Sequence, residues 1–237
     1  AFEEDPLRVL RVARFAARFS SLGFRVASET LNLCQAMVNR GDLSQLASER
    51  IFQETDKSLA FDHPEIFFRF LADVSAGEQL WPELDSAAID LLAKTTRGTS
   101  RLQRFAILFS QSATDKIKFR CEHLKTPRRY ETLAVSCCRY LPTWERISGL
   151  DAEEIVGFLY ELDAIRKPDQ FKEFSDTCGH LARARTSDRN QEIQWANYLE
   201  IISNITSTSV DGSLRGPAIG KAIRKLQIGA IESHHEN

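Results

Sequence analysis

Four arginines with helical spacing lie near the start of this 237-residue sequence, in the segment AFEEDPLRVLRVARFAARF. They follow three acidic residues and are Arg8, Arg11, Arg14 and Arg18. At about 100° per residue, these positions fall within an arc of roughly 120° on a helical wheel. The opposite side is apolar and predicts a buried face, formed by Val9, Val12, Ala13 and Ala16. We therefore predict one helix, from about residue 5 to 19, with an exposed ridge of guanidinium groups.

A guanidinium beside a carboxylate can recognise the edge of a nucleobase. The carboxylate only accepts hydrogen bonds, whereas the guanidinium only donates them through a planar fork. Asp5 precedes Arg8 by one turn, so the two could contact a base while the other arginines contact phosphate. The same spacing is also typical of a solvated amphipathic helix whose arginines pair with nearby acids. Spacing alone leaves both interpretations open.

Composition excludes several classes of protein. With 31 basic and 33 acidic residues the net charge is −2, so any binding to nucleic acid must come from local clusters. No apolar run has the length of a membrane span, and no secretory signal pattern is present, so a cytoplasmic location is expected. The five cysteines are unevenly spaced and are expected to be free thiols. Because the sequence starts at Ala1 without a methionine, we expect it to be part of a longer protein.

Helical periodicity dominates the chain, and no alternating apolar run predicts a sheet, so the predicted fold is all-α. A second helix is predicted over 28–38, ended by Gly41, and a third begins at Ser48 as its cap, with Glu49 in the first turn. Pro64 opens the next region, and we place a boundary near residue 61. Later helices are predicted over 64–73, 86–95, 98–112, 127–140, 151–163, 168–183, 188–203 and 217–231, with a linker over 203–213.

The opening helix and the segments after it are similar to a known family. The run EDPLRVLRVARFAARF, followed by LGFRVASETL and SERIFQET, resembles the neck region of class II tRNA nucleotidyltransferases, the bacterial CCA-adding enzymes. In that family a Glu-Asp-x-x-Arg motif templates the incoming CTP or ATP through its Watson–Crick edge. The resemblance assigns this nucleotide-binding motif to Glu4, Asp5 and Arg8. It also implies nucleotide contacts for the later arginines, Arg11 and Arg14.

A second motif of the family, Glu-Arg-x-x-x-Glu, braces the neck and matches Glu49, Arg50 and Glu54. Weaker similarity continues through FFRFLADVSAGEQLWPELD, LDAIRKPDQFKEF and LRGPAIGKAIRKLQIGAI. The resemblance implies a helical neck that selects the nucleotide, then a body and a tail that hold tRNA. The predicted division is a neck over 1–61, a body over 62–150 and a tail over 151–237.

Two basic clusters are candidates for contact with the tRNA backbone. They are Arg128 with Arg129, and Arg215 with Lys221, Arg224 and Lys225. The second cluster lies at a predicted helix N-terminus, where free backbone amides also favour a phosphate. Solvated helix faces explain both clusters equally well. The Cys-x-His pairs at 121 and 178 match no four-ligand zinc pattern, so no metal site is predicted in this chain.

Two departures from the family bear on activity. The sequence contains no glycine-rich strand-turn and no Asp-x-Asp pair that would bind two Mg²⁺ ions. The resemblance therefore implies that Mg²⁺ is bound by a catalytic head outside these residues, and that this chain alone is inactive. Many relatives also carry a His-Asp phosphohydrolase in the body, where this chain has Ser110 and Gln111, so that region is expected to be degenerate.

The sequence thus predicts the nucleotide-selecting and tRNA-binding part of an enzyme that adds C, C and A to tRNA ends. The expected partners are tRNA, CTP and ATP, without DNA or a membrane, and the oligomeric state is left undefined. One alternative is a piece of a bacterial poly(A) polymerase, which shares the neck motifs but, by resemblance, lacks the Leu-Gly insertion within LGFRVASETL. Another is a non-catalytic RNA-binding helical module.

Overall fold

The computed structural model describes residues 5–185 and 190–235. Within these residues the secondary structure consists of α-helices and short 3-10 helices, without a β-strand, which confirms the predicted all-α class. The chain forms two compact units, Ala1–Arg139 and Tyr140–Asn237. The predicted division into neck, body and tail stays a prediction. No helix in the described part of the chain is both long and apolar enough to cross a bilayer.

The first unit is built from short helices joined by tight turns. They are α1 (Leu7–Phe19), α2 (Ser28–Asn39), α3 (Ser48–Ser58), α4 (Glu65–Asp73), α5 (Gly77–Leu80), α6 (Ser86–Thr95), α7 (Arg101–Leu108), α8 (Thr114–His123) and the start of α9 (Arg128–Glu145). Gly23 and Gly41 adopt φ values of 77° and 80°, the left-handed conformation that ends a helix with least strain for glycine. The predicted cap at Ser48 is wrong, because Ser48 is already helical and Ala47 is the capping residue without a side-chain bond.

Helix α1 packs against α3 and α4, so its buried face is set by both neighbours. Val9 and Ala13 are buried as predicted, but Val12 and Ala16 are only half-buried. Leu7, Leu10 and Ala17 complete the buried face instead. Because leucine side chains bury more apolar area than alanine, the helix turns this side toward the core. The rotation brings one edge of the arginine ridge close to α3.

Rings from three helices fix α3 within the first unit. The Tyr130 ring lies edge-on to Phe52 and Phe105, with centroids 5.1 and 5.3 Å apart. The Tyr130 hydroxyl donates to the carboxylate of Asp56, which also accepts from Arg101 Nη1 at 2.7 Å. Aromatic packing and a hydrogen bond thus hold α3 against α7 and α9.

This contact predicts a specific sensitivity to alkaline pH. Burial and the Asp56 carboxylate raise the pKa of Tyr130 to about 12, from about 10 in an unfolded chain. A group whose pKa is raised by folding stabilises the folded state at pH values below its pKa in the unfolded chain. This stabilisation is lost as the pH rises through its pKa in the folded protein. We expect the free energy of unfolding to fall between about pH 10 and 12. Urea unfolding across this pH range should show that the free energy of unfolding falls less steeply with pH in Tyr130→Phe than in the wild type. An identical pH dependence in both proteins would contradict the prediction.

A buried guanidinium holds the turn between α3 and α4. Arg104 Nη1 donates to the carbonyl oxygens of Leu59 at 2.6 Å and Phe61 at 2.7 Å. Its Nη2 donates to the Thr96 carbonyl at 2.9 Å, and its Nε to the Thr99 hydroxyl at 3.1 Å. Burial lowers the pKa of Arg104, an effect that the charges of nearby acids oppose. One side chain therefore ties α7 to the segment that follows α3.

The second unit contains the rest of α9 and four further helices: α10 (Ala152–Glu161), α11 (Pro168–Arg185), α12 (Gln191–Ser203) and α13 (Pro217–His235). Trp144 and Trp195 lie in its core, since both side chains are fully buried. Trp195 Nε1 donates to the Trp144 carbonyl at 3.1 Å, and Trp144 Nε1 donates to Ser175 Oγ at 3.0 Å. Asp151 and Glu154 form a capping box at the start of α10, whose helix was predicted over 151–163. All five cysteines of the chain are free thiols, as predicted.

Candidate anion-binding site

A polar cleft of about 240 Å³ lies between α1 and α3. Its lining side chains come from one face of each helix: Leu7, Arg11, Arg14, Arg50, Gln53, Glu54 and Lys57. On α1 the lining residues 7, 11 and 14 are four and three positions apart, and on α3 the lining residues 50, 53, 54 and 57 are three, one and three positions apart. This helical spacing places each set on one face of its helix. The cleft therefore brings the predicted residues Arg11 and Arg14 together with Arg50 and Glu54 of the second motif.

The cleft is electrostatically positive. Among the described residues, four basic side chains line it together with one carboxylate, that of Glu54. Glu54 is buried and accepts hydrogen bonds from Arg14 Nε at 2.6 Å and from Lys57 Nζ at 3.1 Å. Arg11 and Arg50 are exposed, and neither has an ion pair within residues 5–185 and 190–235. An anion with more than one charge would be attracted to this surface.

Arg14 has a structural role in the cleft. Its side chain is 14% exposed, and the ion pair with Glu54 joins α1 to α3 across 40 residues of sequence. The guanidinium carbon also lies 4.4 Å from the ring centroid of Phe15, within the range of a cation–π contact. Arg14 thus positions one helix against the other, and the predicted nucleotide contact of this residue stays a prediction.

Replacing Arg14 should destabilise the first unit. In Arg14→Ala the buried Glu54 carboxylate keeps only the half-exposed Lys57, and a lost hydrogen bond to a charged group usually costs about 1.5–3 kcal/mol. The matched control is Arg11→Ala on the same helix, where an exposed side chain should change stability by less than about 0.5 kcal/mol. Urea unfolding of both variants tests this, and equal losses would contradict a bracing role for Arg14.

Asp5 and Arg8 lie at the start of α1 and are not part of the cleft lining. The Leu7 amide donates to Asp5 Oδ1 at 3.0 Å, so this carboxylate satisfies one of the amides that a helix N-terminus leaves without an intrahelical partner. Asp5 and Arg8 are both half-exposed. Glu4, the first residue of the predicted motif, lies outside the described residues.

Besides Glu54, the Glu-Arg-x-x-x-Glu motif contains Glu49 and Arg50, whose side chains point in different directions. Arg50 lines the cleft, whereas Glu49 Oε1 accepts from Lys125 Nζ at 2.5 Å outside it. This hydrogen bond lowers the pKa of Glu49. Sequence reasoning missed Gln53 and Lys57, which follow Arg50 by three and seven residues. That helical spacing was the signal that could have identified them.

The two predicted RNA-binding clusters lie in different units, and each is exposed. In the first unit Arg128 and Arg129 occupy the first turn of α9, and Arg129 lies 5.5 Å from the ring centroid of Tyr130. In the second unit, Lys221, Arg224 and Lys225 project from α13, and Arg224 lies 5.6 Å from the Tyr160 ring. Arg215 donates to the carbonyl oxygens of Gly212 and Leu214 in the preceding turn.

The described residues contain no group of three or more His, Cys, Asp or Glu side chains placed to hold a metal ion. At the position of the expected degenerate dipeptide, Ser110 is buried and its hydroxyl donates to the Ile107 carbonyl at 2.8 Å.

This geometry defines a helical protein with a cation-rich cleft and an exposed basic cluster in each unit. A family model described as "Probable RNA and SrmB- binding site of polymerase A" matches residues 23–88. A CCA-adding enzyme of Pseudomonas putida (strain W619) is 35% identical over 245 residues, covering 100% of this chain and 65% of the relative. A multifunctional CCA protein of Teredinibacter turnerae is 30% identical over 275 residues, covering 98% of this chain and 67% of the relative. The chain belongs to the family of CCA-adding enzymes.

Solved structures have the same fold. A CCA-adding enzyme in its apo form I superimposes with a TM-score of 0.66 at 20% identity, covering 98% of this chain and 56% of that one. A complex of a CCA-adding enzyme with CTP gives a TM-score of 0.63 at 20% identity, covering 96% and 56%. The first relatives matched are longer proteins, of which this chain spans about 65%.

Proposed function

We propose that this chain is the nucleotide-selecting and tRNA-binding part of a cytoplasmic CCA-adding tRNA nucleotidyltransferase. The observation that carries the proposal is the cleft between α1 and α3, where basic side chains outnumber acidic ones by four to one. A nucleoside triphosphate and an RNA backbone are both polyanions that such a surface attracts. The names of the relatives, and the mention of RNA in the matching family description, support the same function.

Within this proposal the start and the middle of α1 have different roles. Asp5 and Arg8 contact the base edge of CTP or ATP, since a carboxylate and a guanidinium together offer acceptors and donors. Arg11, with Arg50 and Lys57 across the cleft, meets phosphate charge, while Arg14 holds α1 against α3 through Glu54. Selection of the base and attraction of the phosphates are thereby separated along one helix.

Mg²⁺ belongs to the catalytic head in this proposal. When bound there, Mg²⁺ activates the primer hydroxyl and neutralises charge on the transferred nucleotide. The described residues provide no cluster of carboxylates for it, so we assign none of them as a ligand. The exposed clusters at Arg128 and Arg129, and on α13, contact the tRNA backbone, where positive charge binds without reading sequence.

The experiment that tests the proposal uses a full-length enzyme that carries these 237 residues together with a catalytic head. It is incubated with Mg²⁺, all four nucleoside triphosphates and tRNA that lacks its 3′ end, and the products are sequenced. We expect C, C and A to be added in that order. A run of adenosines would favour the poly(A) polymerase alternative, and no addition would favour a non-catalytic RNA-binding module.

The 237-residue chain alone should not transfer nucleotides. It lacks the paired acids that bind two metal ions, and phosphoryl transfer depends on those ions for positioning and charge stabilisation. We expect no incorporation of labelled CMP or AMP into tRNA by the purified chain with Mg²⁺, CTP and ATP. The full-length enzyme in the same buffer is the positive control, and detectable incorporation by the isolated chain would contradict the assignment of the chemistry to the head.

A further inference from the structure

A groove of about 480 Å³ opens between α4, α5 and α6 of the first unit, and none of the residues in the proposed function lines it. Its volume falls within the range of ordinary ligand-binding pockets. The floor is apolar and includes Phe68, Leu71, Trp81, Leu84 and Ile89. The Trp81 ring packs against Phe68 and Phe109, with centroids 6.3 and 5.9 Å apart. These contacts hold the apolar surface in place, so a ligand would not have to order it.

The rim of the groove is acidic. Asp73, Glu78, Asp85 and Asp90 surround it. The one basic residue that lines it within the described part of the chain, Arg69, donates to Asp90 Oδ1 at 2.8 Å. Asp85 Oδ1 accepts from the Ala88 amide and caps α6. Asp73 and Glu78 are exposed, and neither has a hydrogen bond or ion pair from its side chain within the described residues. Four carboxylates against one guanidinium make this surface repel RNA and attract cations.

We propose that the groove binds a basic amphipathic helix of a partner protein. Apolar side chains at helical spacing would reach the floor, and lysines or arginines beside them would face Asp73 and Glu78. Complementary charge would set the orientation of the helix and suppress binding of acidic segments. This inference does not depend on the proposed function, because the acidic groove and the cation-lined cleft share no residue.

The test uses the 237-residue chain and a fluorescein-labelled peptide of two LKKLLKL heptads, titrated by fluorescence anisotropy. We expect saturable binding that weakens by about tenfold or more in the double variant Asp73→Lys/Glu78→Lys. The matched control is Asp115→Lys/Glu122→Lys on α8, which changes the net charge equally. In each pair one acid lies in the first turn of a helix and the other near a helix C-terminus, and all four are exposed. The control should change the affinity by less than about twofold.

Several outcomes would overturn the proposal. They are the absence of saturable binding, equal weakening in both double variants, and equal binding of a peptide in which glutamate replaces lysine. Sedimentation velocity measures the oligomeric mass of the same proteins. If that mass changes only in Asp73→Lys/Glu78→Lys, the groove variant, then a second copy of the chain is the occupant. Filter binding of tRNA identifies RNA as the occupant if only the groove variant loses affinity. If the unmodified chain does not bind tRNA, this result counts against the proposed function but leaves the peptide result intact.

Discussion

Replacing Asp5 or Arg8 with alanine in the full-length enzyme should lower kcat/KM for CTP and ATP by about tenfold to a hundredfold. In the proposed function each side chain makes a charge-assisted contact with the base, and such a contact is worth roughly 1.5–3 kcal/mol. Discrimination against UTP and GTP should weaken at the same time, because the lost contacts distinguish one base edge from another. The measurement is kcat/KM for all four nucleotides, together with thermal unfolding of each variant.

Two conservative variants separate base recognition from folding. Asp5→Asn keeps an oxygen that can accept from the Leu7 amide, so it preserves the start of α1 while removing the charge. Arg8→Lys keeps the charge but removes the planar fork. If the base is read as proposed, both variants lose selectivity while they unfold at the wild-type temperature. Wild-type selectivity in either alanine variant, or activity lost only through melting, would make Asp5 and Arg8 structural residues.

Replacing Arg104 with methionine should lower the free energy of unfolding of the first unit by at least about 3 kcal/mol. The variant leaves the backbone carbonyl groups of Leu59 and Phe61 without the guanidinium that now satisfies them. The Thr96 carbonyl loses one of its donors but still accepts from the Thr99 amide and hydroxyl. Buried acceptors that lose their partner carry the full cost of desolvation. Urea unfolding, followed by near-ultraviolet circular dichroism, measures the loss.

The control for this prediction lies one turn earlier on the same helix. Arg101 pairs with Asp56 at 2.7 Å, but its side chain is 48% exposed, and exposed ion pairs contribute at most about 1 kcal/mol. Arg101→Met should therefore have a small effect. Equal destabilisation by both variants would mean that the four hydrogen bonds of Arg104 do not hold the turn after α3.

The helices that the sequence predicted well have clear local signals. Gly23 and Gly41 end the first two helical segments, and Asp151 with Glu154 begins α10 through side-chain hydrogen bonds. The two helices that were missed lack such signals. Helix α5 has only four residues, too few for a periodic pattern. Helix α8 buries only Ile117, Arg120 and Cys121, so its apolar stripe is narrow.

The candidate site was predicted in part. Spacing along one helix placed Arg11 and Arg14 on the same side of α1, and the motif match selected Arg50 and Glu54. The rotation of α1 about its axis could not be predicted, because it depends on α3 and α4, which lie far along the chain. For the same reason the Arg14 contact with Glu54, 40 residues away, was not foreseen. Arg104 gave no signal at all, since most of its partners are backbone carbonyl groups.

The packing of α1 against both α3 and α4 limits how this protein can be recombined with its relatives. A chimera joined at residue 61 would take α1 and α3 from one parent and α4 from another. The foreign α4 would then have to match the buried face of α1, and the foreign α7 would have to supply an equivalent of Arg104. Exchanging residues 5–139 as a single block keeps all of these contacts native, so a stably folded chimera should be obtained only with that larger segment.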